Sequence, residues 1–455
     1  MWFKTVPAWI AAFLLVACAP PPLRPDLPEL YRACEEPACV TPVILVHGAF
    51  GSRLADARGR ERWPGNWLRL LFDRYESLAL PLDPVRLQPR DDGLRATDIF
   101  AGAGGTDFYG RILSTLEGAG RYRRGRPGEP HRLGERVYYI FAHDWRQDVV
   151  TNARRLAALI ETIRRDFGRP ALRVNVVAHS AGAMVVRYYL RYGGEEVTSL
   201  AEPRPSLAGA GALRWVVLVG APNRGSLFAL ETVVRGYRVG LGTIPPEVLA
   251  TFPAAYQYLP DPQRAWLVDP EAGVMNEDLY DVETWRRHRW SAFDPAVAAR
   301  LAERLGPRRA RDYLDTLRRY QAAQLRRARA LWRALAVPIR PRGVRVVIMG
   351  SDCELTADHL LRGEDGRVRF DAATHGDPVL FHRLYEPGDG RVTKLSALGL
   401  LAPRPDGRSP FPVDYAFFLC ERHAQLTGNL HFQTNLLNIL LHQEPFRGPP
   451  PGGNS

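Results

Sequence analysis

Short, wholly apolar runs set the rhythm of this chain. Pro42-Val43-Ile44-Leu45-Val46 is apolar at every position and is closed by His47-Gly48. A strand with one face in water alternates apolar and polar residues. An unbroken apolar run bounded by turn residues instead fits a strand buried on both faces. Similar runs recur at 137–141, 172–178, 215–219, 344–349 and 413–419. Residues 152–167 carry apolar positions at helical spacing. So do residues 184–192, until Gly193-Gly194 stops the pattern, and residues 430–441 near the end. Apolar strands alternating with helices predict an α/β fold, with a mostly parallel central sheet and helices on both faces.

Two stretches interrupt this alternation. Residues 51–135 separate the first two strands and carry Trp63, Trp67, the run Leu68-Arg69-Leu70-Leu71-Phe72, and a further helical pattern at 108–116. Residues 224–341 separate two later strands and carry Tyr237, Phe252, Tyr256, Tyr258, Trp266, Trp285, Trp290 and Phe293. Insertions of this size between strands of one sheet predict a cap or lid. The pattern does not choose between aromatics that line a slot and aromatics that fill a subdomain core.

With 46% apolar and 24% charged residues in 455, the chain has the composition of a globular protein. Its net charge is +12, and of 61 basic residues only Lys4 and Lys394 are lysines. The arginines are scattered rather than clustered, which reads as arginine replacing lysine throughout. No nucleic-acid-binding motif accompanies them, so no nucleic-acid partner is expected. The densest group, residues 121–126, lies beside Pro127-Gly128 and reads as a surface loop.

The N-terminus changes the picture more. Lys4 precedes a short apolar run at 9–17 that ends Leu15-Val16-Ala17-Cys18. The run is too short to span a bilayer. It resembles a bacterial lipobox, which implies a signal peptide at 1–17, cleavage before Cys18 and lipidation of that cysteine. Residues 18–41 then form a proline-rich tether, stiff and extended over 19–28. The expected location is the cell envelope, on either face of an outer membrane, since Ala19 rather than Asp follows the cysteine. Four cysteines remain, an even number in an exported chain, and three pairings are possible. Cys34–Cys39 closes a small loop containing Pro37, which leaves Cys353–Cys420. No metal-ligand spacing accompanies them, and neither a metal nor an organic cofactor is implied.

Ala178-His179-Ser180-Ala181-Gly182 carries the strongest chemical signal. It stands where a buried strand meets a helix, as a nucleophile elbow requires, with small residues at 178 and 182 where strand and helix crowd. His47-Gly48-Ala49-Phe50-Gly51 follows the first strand. Two N–H groups are needed to hold a developing oxyanion. Ala181 supplies one. Ala49 is the expected second, with Phe50 as the alternative. The chain order Ser, acid, His places the base at His423, after the last strand run and before the terminal helix. His359, His375 and His382 come too early, and His431 and His442 fall in the terminal helical pattern. The acid is Asp389, in Gly388-Asp389-Gly390-Arg391-Val392, or Asp352, directly after the 344–349 run. Order does not separate them. The glycines around Asp389 favour it.

With these residues in view the chain resembles the lecithin:cholesterol acyltransferase family of α/β-hydrolases, which includes lysosomal phospholipases and bacterial lipases. Pro42 to Gly48, Asp144-Trp145-Arg146, the elbow with Arg187-Tyr188-Tyr189-Leu190, Gly220 to Ser226, Gly388 to Val392 and His423 carry the likeness. It is weakest from 235 to 340. The resemblance implies Ser180 as nucleophile, Asp389 as acid, His423 as base, and the amides of Ala49 and Ala181 as oxyanion hole. Arg391 stands where the family often has threonine, and His47 where eukaryotic members often have proline.

The expected organisation is thus an α/β-hydrolase domain over 42–442 with insertions at 51–135 and 224–341, and a flexible tail at 443–455. The expected activity is acyl transfer from a lipid or other acyl ester, as a lipase, phospholipase or lipid acyltransferase held at a membrane surface by its anchor. A thioesterase, an amidase, a glycolipid deacylase, or a non-catalytic envelope module would fit the same motifs. Asp144-Trp145-Arg146 reads as structural, its charges pairing beside the sheet end. The oligomeric state is not legible.

Overall fold

The computed structural model describes residues 26–31, 40–66, 69, 72–103, 106–275, 277–371, 377–400 and 411–441. Cys18, Cys34, Cys39, Trp67, the expected signal peptide at 1–17 and the expected tail at 443–455 lie outside these residues.

Seven strands form the central sheet: β1 (Val43–Val46), β2 (Arg123–Arg124), β3 (Val137–Phe141), β4 (Val174–His179), β5 (Leu213–Val219), β6 (Arg345–Ser351) and β7 (Tyr415–Leu419). Their order is β7-β6-β5-β4-β1-β3-β2, and every neighbouring pair is parallel. The six apolar runs are six of these strands. The seventh, β2, corrects the reading of the arginine cluster as loop. Arg123 and Arg124 pair with Val137 and Tyr138 at the sheet edge, where two exposed charged residues make a short strand that apolar patterning cannot reveal.

Alternate residues of each inner strand enter two different cores. Ile44, Val46, Val176, Ala178, Val216 and Leu218 join one, and Val43, Leu45, Val177, Val217, Val219 and Met349 join the other. The first core is covered by α2 (Val149–Asp166) and α3 (Gly182–Tyr192). The second is covered by α1 (Gly110–Glu117) and α6 (Leu430–Leu441). Asp148 caps α2, its carboxylate accepting from the N–H of Val150 at 2.8 Å.

Of the segment 51–135, the strands Ser52–Ala55, Glu61–Trp63 and Arg95–Ile99 make a separate antiparallel sheet, whereas α1 and β2 belong to the main layers. The segment 224–341 contains α4 (Leu227–Arg235), the hairpin Tyr237–Val239 with Gly242–Ile244, a second hairpin Leu267–Asp269 with Gly273–Met275, four further helices between 246 and 305, and α5 (Pro307–Ala336). Its aromatics divide. Tyr256, Trp266, Trp285 and Trp290 are buried in the larger core, while Tyr237, Phe252 and Tyr258 line the cavity over Ser180. Both readings of these aromatics therefore hold, for different residues.

The end of the tether departs from the expected extended form. Leu27–Leu30 is a helical turn with Asp26 as its cap. Leu27 and Tyr31 pack on Leu437 of α6, and the Tyr31 hydroxyl donates to the Thr434 carbonyl at 2.9 Å. Proline in the first turn of a helix is well tolerated, so Pro28 does not enforce extension there.

Candidate active site

The strand order reverses between β1 and β4. β2 and β3 follow β1 to one side, and β4 to β7 build out to the other. In a parallel sheet the crevice at such a reversal, beyond the carboxyl ends of the strands, is where ligands bind. Val46 of β1 is level with Ala178 of β4, so the His47-Gly48-Ala49 loop and the Ser180 turn emerge side by side.

Ser180 sits at the tip of that turn with φ of 54°, a left-handed conformation that serine adopts at a cost. The Ser180 N–H donates to the Val219 carbonyl at 2.8 Å, and the next turn begins with the Ala183 N–H on the Ser180 carbonyl at 2.9 Å. The small residues are required by contact. A Cβ on Gly182 would lie 2.4 Å from the His47 carbonyl oxygen, and one on Gly48 would lie 2.7 Å from the Ser180 Cβ. Gly220, at φ of 53°, closes the floor. A Cβ there would lie 3.1 Å from Asp389 Oδ2 and 3.3 Å from His423 Cε1.

His423 follows β7 and is buried. Its Nε2 lies 2.8 Å from Ser180 Oγ, and its Nδ1 lies 2.7 Å from Asp389 Oδ2. The His423 N–H also donates to the Asp389 carbonyl at 2.9 Å. Asp389 reaches this position on the strand Tyr385–Gly388, which pairs back against Glu354–Ala357 beyond the end of β6. Its Oδ1 accepts from the N–H groups of Arg391 and Val392 at 3.0 and 2.8 Å across the turn at Gly390, whose φ is 85°. Burial pushes the Asp389 carboxyl up. The facing imidazole and the two N–H groups more than offset this, and the carboxyl is held below its ordinary range. Asp352 is elsewhere: its carboxylate accepts from Lys394 Nζ at 2.7 Å on a partly exposed surface.

Asp352 instead neighbours the Cys353–Cys420 disulfide. The two Cα atoms are 5.2 Å apart, and the bridge ties the end of β6 to the segment just before His423. Among the described residues the N–H groups of Ala49 and Ala181 have no protein acceptor, and neither does that of Phe50. Also among the described residues, no group of three or more His, Cys, Asp or Glu side chains is placed to hold a metal ion.

This is the α/β-hydrolase fold, with the elbow between β4 and α3. No protein-family model matches the chain, and no curated protein matches it. Among solved structures it is similar to a chain of the Tle4–Tli4 complex, at 13% identity and TM-score 0.48, covering 88% of this chain and 98% of that one. It is also similar to the Bacillus licheniformis lipase BlEst2 in its mature form, at 13% identity and TM-score 0.32, covering 92% and 96%. A third is EstA from Clostridium botulinum, at 13% identity and TM-score 0.35, covering 94% of each chain. Likenesses this distant bear no weight on substrate or site residues.

A polar relay lies beneath the serine that the motifs did not reveal. His179 Nε2 is 3.1 Å from the His423 carbonyl, and His179 Nδ1 is 2.8 Å from the Tyr109 hydroxyl. A carbonyl only accepts, so Nε2 carries the proton and Nδ1 accepts from Tyr109. The Tyr109 oxygen in turn accepts from the Gly48 N–H at 2.9 Å. Burial, followed by repulsion from His423, pushes His179 down to about 3, so it stays neutral. One chain of hydrogen bonds thus connects the His47-Gly48-Ala49 loop to the histidine loop. Tyr109→Phe orphans the Gly48 N–H and the His179 Nδ1. Each buried orphan costs about 1–3 kcal/mol, and urea unfolding is expected to show a loss of that order. An unchanged midpoint would count against the relay.

The cavity above Ser180 encloses about 270 Å³. Phe50, Trp63, Trp145, Phe228, Tyr237 and Phe252 are among its walls. The Phe50 ring stacks on Tyr237 at 4.2 Å and leans on Trp145 at 4.6 Å. Trp145 owes its position to its neighbours. Arg146 is fully buried, with Nη2 2.8 Å from Asp144 Oδ2 and Nη1 2.6 Å from Asp92 Oδ2. Phe50 and Trp145 appear in the sequence as parts of short motifs, and nothing in the spacing marks them as cavity walls.

Proposed function

We propose that this protein is a serine ester hydrolase acting on acyl esters with an apolar chain, as a lipase, phospholipase or lipid acyltransferase. The supporting observation is the hydrogen-bonded series Ser180–His423–Asp389 on the floor of an aromatic-walled cavity. In this reading His423 Nε2 takes the Ser180 proton as Oγ attacks the ester carbonyl. Asp389 holds the imidazole in the tautomer that leaves Nε2 unprotonated, and stabilises the imidazolium. The N–H groups of Ala181 and Ala49 receive the oxyanion. His423 then protonates the departing alkoxide. Water or an alcohol, deprotonated by the same nitrogen, releases the acyl group from Ser180. The resemblance to the lecithin:cholesterol acyltransferase family and the lipobox at Cys18 support a lipid substrate met at an envelope membrane.

An apolar slot gains about 0.8 kcal/mol per buried methylene, which is at most about fourfold in kcat/KM. Esters from two to eight acyl carbons are therefore expected to be cleaved with rising kcat/KM until the slot is full. Active-site labelling by a fluorophosphonate should be lost in Ser180→Ala. A flat or falling chain-length series would assign the site to small esters, and an unlabelled wild-type protein would remove the hydrolase reading altogether.

A further inference from the structure

Among the described residues, the cavity over Ser180 is lined by many apolar groups and by no aspartate or glutamate, yet two arginines, Arg238 and Arg391, contribute to its wall. Elsewhere arginines with comparable burial have a hydrogen-bonded partner, a backbone carbonyl for Arg173, Arg187, Arg191 and Arg318 and a carboxylate for others. Arg224 Nη1 is 2.5 Å from Asp261, Arg327 Nε is 2.6 Å from Asp148, and Arg300 Nη2 is 2.7 Å from Glu247. Arg391 breaks that pattern. Among the described residues its guanidinium has no carboxylate partner and no hydrogen-bond acceptor, and it lies over the Phe228 ring with Cζ 4.5 Å from the centroid. A guanidinium offers five N–H donors in a planar fork suited to two anionic oxygens.

The backbone fixes where this side chain starts. The Arg391 N–H donates to Asp389 Oδ1 at 3.0 Å, and the Arg391 carbonyl accepts from the Ser226 hydroxyl. The residue is therefore tied to the acid on one side and to the first turn of α4 on the other. Phe228, two residues into that helix, supplies the face on which the guanidinium rests. Its positive charge reaches the site: burial and His423 push His179 down and Arg391 adds to this, while burial pushes the Tyr109 phenol up and Arg391 opposes it in small part.

We propose that Arg391 makes this site select acyl esters that carry an anionic oxygen group, phosphate or carboxylate, on the alcohol side of the scissile bond. Resting on the hydrolase reading of Ser180, the proposal narrows its substrate class. The acyl chain occupies the aromatic slot, the ester carbonyl faces Ser180, and the anion pairs with the Arg391 fork.

Soluble esters kept below their micellar concentrations test this with the full-length protein. Dihexanoyl phosphatidate and dihexanoylglycerol form one pair, and hexanoyloxyacetate and methyl hexanoate form another. Each pair has the same acyl chain with and without an anion, and the two pairs separate phosphate from carboxylate. The readout is the ratio of kcat/KM, anionic over neutral. A charge-assisted contact predicts that wild type favours the anionic member by about ten- to a hundredfold in at least one pair. Arg391→Gln should bring that ratio close to one, and Arg391→Lys should retain part of it. A wild-type ratio near one, or a ratio unchanged in Arg391→Gln, overturns the proposal while fluorophosphonate labelling of Ser180 leaves the hydrolase reading standing. Loss of that labelling in wild type overturns both.

Discussion

Replacing Asp389 with Asn is expected to lower kcat by about 10⁴, with little change in KM. The substitution keeps the shape of a group 2.7 Å from His423 Nδ1. An amide nitrogen placed there donates rather than accepts, and the charge that favours imidazolium is gone. The imidazole then settles into the tautomer that puts its proton on Nε2, facing Ser180 Oγ, where a base is required. Asp352→Asn is the internal comparison. That carboxylate pairs with Lys394 where both side chains are about a third or more exposed, and such pairs contribute about 0–1 kcal/mol. Its effect on kcat should be within a few-fold. Steady-state kinetics of both variants, with near- and far-ultraviolet circular dichroism to confirm folding, decides the assignment. A dead Asp352→Asn beside an active Asp389→Asn would reverse it.

The largest expected effect on stability comes from Arg146→Met. Methionine fills similar volume without charge. It leaves the Asp144 and Asp92 carboxylates, both mostly buried, without the guanidinium that bonds to each of them. It also leaves the Leu78 carbonyl, 2.9 Å from Arg146 Nη1, without its donor. Removing one partner of a buried ionic cluster costs about 3–5 kcal/mol. Guanidinium denaturation at neutral pH should show a loss of that size. A loss below about 1 kcal/mol at neutral pH would mean that water reaches the cluster.

The central layers were legible because burial on both faces leaves a plain mark. Runs such as Val43-Ile44-Leu45-Val46 have no solvent side to interrupt them, and glycines punctuate their ends. The places of Ser180 and His423 were readable for a related reason: each stands at a strand end, and strand ends in this architecture occur in a fixed order. That order left Asp389 and Asp352 level, and the glycines beside Asp389 were what favoured it. What escaped notice lacks any local period. The edge strand Arg123–Arg124 is polar because it is an edge. Tyr109 belongs to a helical approach with no sign that its hydroxyl meets Gly48 and His179, since those contacts join segments far apart in the chain. Patterning also could not divide the aromatics of the second insertion between core and cavity. Trp266 and Phe252 are equally apolar, and only the packing of distant elements decides which of them faces empty space.

The three glycines under the site set limits on how this protein can change. Gly48, Gly182 and Gly220 hold the reacting groups by leaving out a single carbon atom each, and a methyl at any of them would overlap Ser180, the His47 carbonyl or Leu426. Variation in a lineage of such proteins therefore has one direction open to it. The floor has no room for an added carbon, whereas Phe228, Tyr237 and Arg391 stand partly exposed in the wall, where a changed side chain meets solvent on one side. New substrate preferences would arise as lateral moves in those walls, with the chemistry beneath them inherited intact.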